Sequence, residues 1–111
     1  MQIIPFRNQA SFKQQIDLDG VVFFLAFQWN ALNEFWTMNI FNINGNPIIY
    51  GIKIVPDFPL LSFVGVDGMP KGNIICQNIV DGETVIKRFD INQKFALIYY
   101  TEIEIQNLIT A

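Results

Sequence analysis

The residues able to do chemistry are few, and their spacing is wrong for most of it. The chain contains no histidine, which removes the commonest general base, the usual activator of a Ser or Cys nucleophile, and the main zinc ligand. Cys76 is the one cysteine. Without a His partner it reads as a small buried apolar residue and not as a nucleophile. It cannot close an internal disulfide, which fits folding in a reducing cytoplasm, and a structural zinc site would need four Cys or His ligands. Two acidic pairs remain. Asp17 and Asp19 have a spacing that could suggest a hard cation, yet the multi-ligand loop of a calcium site is missing around them. Asp19 precedes Gly20 and serves a turn, while Asp17 faces solvent. Glu102 and Glu104 could imitate a glycosidase pair. On one strand face, however, their Cβ atoms would be only about 7 Å apart, whereas glycosidase carboxylates flank a cleft from different elements. A solvated edge-strand face accounts for them better. Lys71-Gly72 lacks the upstream Gly-rich loop of a phosphate cradle. The expectation is therefore no catalytic residue, no metal ligand and no cofactor.

Aromatic surface is what the chain has in quantity, with 11 Phe, 3 Tyr and 2 Trp. Trp29 and Trp36 could be stacking platforms, but they lie in strongly apolar strands and read as core or interface packing. Trp29 ends the most apolar strand and is expected to anchor the core. Tyr99 and Tyr100 are adjacent, so strand parity should turn one ring inward and the other outward, the outward one serving as an interface anchor.

The elements that must position these side chains are strands between turn dipeptides. Phe12, Gln14, Ile16 and Leu18 share one face of a first strand, with Lys13, Gln15 and Asp17 on the other. Asp19-Gly20 predicts a tight type I′ hairpin, because both central positions of that turn need φ > 0. Val21 to Trp29 is apolar on both faces, which predicts a central strand covered on both sides. A loop at 30–34 leads to a third strand over Phe35–Asn42. Asn44-Gly45-Asn46-Pro47 predicts a second two-residue hairpin, and Ile48–Val55 a fourth strand with a bulge at Gly51. These four strands read as a meander. Pro56-Asp57-Phe58-Pro59 predicts a rigid corner, since two φ angles are fixed and two donors removed. Beyond it come a short apolar piece at Leu60–Val64, a Gly/Pro loop over 65–72, a strand over Asn73–Val80, a turn at Asp81-Gly82, a weakly alternating stretch over Glu83–Ile91, and a strand over Lys94–Thr101. Residues 102–111 are left open as an extension of that strand, a short helix or a docking arm. The fold expected is a single all-β domain over 1–111, a small antiparallel β-barrel or β-sandwich built from sequential hairpins.

Composition bounds the partners. The chain is 51 % hydrophobic and 15 % charged, against typical values of about 45–50 % and about 25 %. Disorder is excluded on that balance, and so few charges over so much apolar content point to surface hidden against another subunit. With a net charge of −3 and seven scattered Lys and Arg, there is no basic footprint for nucleic acid and no polybasic segment for a membrane surface. The longest apolar run, Val21–Phe27, falls far short of the about 20 residues a spanning helix needs. The first residues lack the basic and apolar regions of a secretory signal, so none is expected.

In order and spacing, several of these features resemble the baseplate hub plug family of contractile-tailed phages. Ile4-Pro5 opens the series, followed by Leu18-Asp19-Gly20, Trp29-Asn30 and Trp36. Then come Gly45-Asn46-Pro47, the stretch Gly51-Ile52-Lys53-Ile54-Val55-Pro56, Leu60-Leu61, and finally Leu97-Ile98-Tyr99. The resemblance spans roughly residues 3–100. Asp57 departs from the Gly that the family often has there, and residues 81–91 and 102–111 look more elaborated. The resemblance implies a non-enzymatic virion protein of the tail baseplate, made in the host cytoplasm. It would close or organise the lumen at the hub axis, among other hub and tail proteins and copies of itself, with a trimer as one arrangement. Phe58, Phe63 and one of Tyr99 or Tyr100 are the candidate interface residues. The competing readings are a β-barrel holding a small apolar molecule in an aromatic-lined pocket and, more remotely, a small hydrolase with a carboxylate pair.

Overall fold

Turn chemistry shapes the larger of two sheets. The computed structural model describes residues 1–62, 65–80 and 82–110, with the side chains of 108–110 left aside. Its elements are β1 (Gln2–Ile3), β2 (Ser11–Leu18), β3 (Val21–Asn30), β4 (Phe35–Phe41), β5 (Pro47–Lys53), β6 (Asn73–Asn78), β7 (Phe95–Tyr100) and α1 (Glu102–Thr110). The expected meander forms a four-stranded antiparallel sheet, β2-β3-β4-β5, and a second, three-stranded sheet has the order β1-β7-β6. The fold is all-β, and the two sheets stay separate as in a sandwich without closing into a barrel.

Leu18 passes to Val21 through Asp19 at φ 61° and Gly20 at φ 82°, the left-handed pair of a type I′ turn. Asp17 Oδ1 accepts the Gly20 N–H at 2.8 Å, which steadies it. The second hairpin differs from the two-residue turn expected at Asn44-Gly45. Asn42 and Asn46 close a three-residue loop, with Gly45 N–H donating to the Asn42 carbonyl at 2.9 Å. Gly45 alone carries positive φ there, at 83°, as in a type I turn ended by a left-handed residue. The Asn42 side chain is the reason, because its Oδ1 accepts the N–H groups of both Asn44 and Asn46 and offers the backbone a local partner. Gly51 does sit in a bulge, at φ 76°, where the β4–β5 register shifts. The Pro56–Pro59 corner also forms outside any strand. Asp57 N–H and Leu60 N–H donate to the Cys76 and Ile74 carbonyls, each at 2.9 Å, so the corner covers an edge of β6 that would otherwise invite pairing.

The core lies between the sheets. Phe12, Ile16 and Leu18 of β2 and Phe23, Leu25 and Phe27 of β3 share one buried cluster with Met38 and Ile40 of β4 and Leu97 and Tyr99 of β7. Each large apolar side chain buried this way stabilises the fold by roughly 1.5–3 kcal/mol. One expectation about this core needs correction and another needs refining. β3 is not covered on both sides: Val22, Phe24 and Ala26 remain half-exposed, since the second sheet packs on one face only. The Lys13 ammonium lies 5.3 Å from the Phe24 ring and 4.2 Å from that of Phe41, so a long charged side chain shelters the outer aromatics. Nor does Trp29 reach the interior, although it packs against the core. Its ring is partly buried beside Trp36, at 5.5 Å, and Trp36, 1 % exposed, fills the interior.

Two segments whose form the sequence left open take definite shape. Residues 83–91 form no strand. They wrap around buried Asp90, whose carboxylate accepts the Lys87 N–H at 2.9 Å and whose carbonyl accepts those of Gln93, Lys94 and Phe95. Residues 102–110 are helical, so Glu102 and Glu104 share no strand face. Thr101 Oγ1 accepts the Glu104 N–H at 3.3 Å and Glu104 Oε1 accepts the Thr101 N–H at 3.0 Å, a reciprocal capping box. The amino terminus also bonds Glu104. Those hydrogen bonds, the one from the amino terminus foremost, hold its carboxyl below the usual range.

Candidate functional site

Phe58 projects from the proline corner and is 41 % exposed. The neighbouring Asp57, at φ 57°, fixes the turn beneath it, and its Oδ1 accepts the Asn78 N–H at 2.9 Å. Phe63 lies outside the described residues. Tyr99 and Tyr100 do not split as strand parity suggested, being 1 % and 8 % exposed. β7 is the middle strand of its sheet: one face meets the core, and α1 packs against the strand as well, so both rings are enclosed. Each is tied into the fold. The Tyr99 hydroxyl accepts the Gly72 N–H at 2.8 Å and donates to Asp19 Oδ2 at 3.3 Å, and the Tyr100 hydroxyl donates to Gln77. Burial pushes both phenols above their ordinary range.

The other sequence candidates are also committed to structure. Burial, with Asp57 nearby, pushes the Cys76 thiol up to about 12, so it stays protonated. Asp17 and Asp19 serve the first turn and Tyr99. Gly72 of the Lys71-Gly72 pair is a close-approach point, where a Cβ would fall 1.9 Å from the Tyr100 carbonyl oxygen. Among the described residues, no group of His, Cys, Asp and Glu could hold a metal ion.

What remains is surface, and one part of it escaped sequence reasoning. Two neighbouring clefts, of about 400 and 420 Å³, share Arg88 in their walls. The first is lined by Phe6, Arg7, Asn8, Phe89, Asn92 and Gln93, the second by Trp29, Glu34, Val85 and Lys87. The Arg88 guanidinium lies 5.2 Å from the Trp36 ring and 4.5 Å from that of Phe89, and it donates to Asn8 Oδ1 at 3.5 Å. Arg7 and Arg88 come from opposite ends of the chain, so no local motif announces them. The outer face of the four-stranded sheet adds half-exposed Phe24, Phe35 and Phe41, with Lys53 4.9 Å from the Phe35 ring.

This geometry of filled core, tied-off polar groups and apolar surface fits a protein that works by contact. A family model described as Cyanophage baseplate Pam3 plug gp18 matches residues 1–102. The chain belongs to this family. It is a structural component of a phage tail baseplate, located in the virion and associated with other baseplate proteins. No curated protein matches it. The family match ends at the first residue of α1.

Proposed function

We propose that the chain is a plug at the central hub of the baseplate, acting by packing and sealing contacts and not by turnover of a substrate. Membership of the plug family over 1–102 carries this reading. Its partners are other hub and tail proteins and copies of itself around the tail axis, with a trimer as one arrangement. A seal needs apolar side chains held rigidly outward, and Phe58, set between Pro56 and Pro59, has little conformational freedom left to lose on docking. Phe63 is the second candidate contact. One of Tyr99 or Tyr100 is the third candidate contact, although both rings are enclosed within the chain itself. The competing small-molecule barrel gains no support from sheets that do not close.

Co-expression tests the reading. Produced alone, the chain should self-associate or stay poorly soluble, and the hub proteins of the same phage should bring it into a soluble complex. A stable monomer that ignores those proteins in pull-downs would overturn the assignment.

A further inference from the structure

We infer that the cleft between Arg7 and Arg88 is a docking site for an acidic segment of a protein partner. The charge is out of place: in a chain of net charge −3 with seven Lys and Arg, two guanidinium groups line one cleft of about 400 Å³ whose wall contains no carboxylate. Neither arginine has an ion-pair partner among the described residues. The side-chain ion pair present is Lys94 with Glu83, at 3.2 Å, and the amino terminus goes to Glu104. The rest of the wall suits a peptide. Asn8, Asn92 and Gln93 offer amides, and Phe6 and the largely exposed Phe89 offer apolar rings. Arg88 is held in place by the Trp36 and Phe89 rings and by Asn8. A partner carboxylate would therefore meet a preorganised planar fork, the arrangement in which arginine binds carboxylates best.

A nucleic acid fits less well. Phosphate recognition draws affinity from many cationic contacts along a track, and here two arginines stand on an otherwise acidic chain. The inference rests on the reading of the chain as a contact-making baseplate subunit for the assembly its partner belongs to. The cleft chemistry can fail on its own.

The test uses a dye-labelled acidic peptide with a central leucine flanked by glutamates, its glutamine counterpart, and a short DNA duplex. Fluorescence anisotropy is read with the full chain at low concentration and with its co-expressed hub complex. The acidic peptide should bind and weaken as salt rises, because surface charge pairs are screened. Arg7→Gln and Arg88→Gln should each weaken it about tenfold, the scale of one lost charge-assisted hydrogen bond. Should Arg88→Gln fail to fold, exposed Arg7→Gln and the charge-conserving Arg88→Lys, which lacks the fork, carry the test. Lys53→Gln, on the outer face of the four-stranded sheet and outside the cleft wall, should leave binding unchanged. Equal binding of the glutamine peptide, equal or tighter binding of DNA, or an equal loss in Lys53→Gln would overturn the inference. A cleft that ignores the acidic peptide while hub proteins still capture the chain would refute this site and spare the plug reading. Peptide binding without hub capture would do the reverse.

Discussion

Truncating Trp36 to alanine removes the side chain that the core is built around. The indole is 1 % exposed, and Phe6 meets it edge-on at 4.8 Å with an interplanar angle of 85°. Trp29 lies 5.5 Å away and the Arg88 guanidinium 5.2 Å away. Emptying such a site costs roughly 3–5 kcal/mol, including the cavity left behind. One contribution runs the other way. Trp36 Nε1 is buried with no hydrogen-bond partner among the described residues, and removing an unsatisfied donor regains part of a penalty of about 1–3 kcal/mol. The lost packing exceeds that relief, so Trp36→Ala should still destabilise by about 3 kcal/mol, a large share of the roughly 5–15 kcal/mol typical of a domain. At about 4–8 °C per kcal/mol, the melting temperature should fall by over ~10 °C. Trp36→Phe keeps an aromatic ring and removes the orphan N–H, so its cost should be well below that of alanine. Trp29→Ala, at a half-buried ring, should cost less than Trp36→Ala. Urea unfolding followed by far-ultraviolet circular dichroism, at low protein concentration, reads all three without depending on the tryptophans as reporters. A Trp36→Ala midpoint equal to or above that of Trp29→Ala would refute the assignment of Trp36 as the anchor.

Gly72→Ala should destabilise more than Gly20→Ala, although Gly20 has the left-handed backbone. A Cβ at Gly72 meets the Tyr100 carbonyl and the Tyr99 ring at 1.9 and 2.8 Å, whereas at Gly20 it meets open space and incurs only about 1–2 kcal/mol of backbone strain; thermal melts that rank them the other way would refute the close approach. Cys76 should resist thiol reagents at pH 8 in the folded chain and react once urea unfolds it. Because its pKa rises on folding from 9.0 to about 12, its contribution to stability is whole below pH 9 and lost as pH climbs from there toward 12; a Cys76→Ala variant with the same alkaline loss would show that other groups cause it.

Much of the fold was legible locally. Alternation between Phe12 and Leu18 and the Asp19-Gly20 pair specify the first hairpin, because side-chain parity and positive φ are properties of neighbouring residues. The proline corner and the Gly51 bulge were readable for the same reason. The C-terminal segment carries two competing local signals. Glu102-Ile103-Glu104-Ile105 alternates over too few residues to prove a strand, while Thr101 and Glu104 stand at the spacing of a capping box. That reciprocal pairing starts the helix.

The candidate site belongs to the other category. No residue near Tyr100 tells that its strand will lie between β1 and β6 with α1 packed against it, so parity placed a ring outside that the fold encloses. Trp29 and Trp36 look alike in sequence, and only their positions across β3 and β4 decide which one fills the core. Asp57, Phe58 and the apolar strands could be weighed residue by residue. The cleft could not, since Arg7 precedes the first long strand and Arg88 lies in the irregular segment before β7. Local preference and periodicity act over a few residues and are written in the chain itself. The meeting of its two ends depends on which long-range contacts the whole core makes most favourable, and the tertiary structure alone decided that.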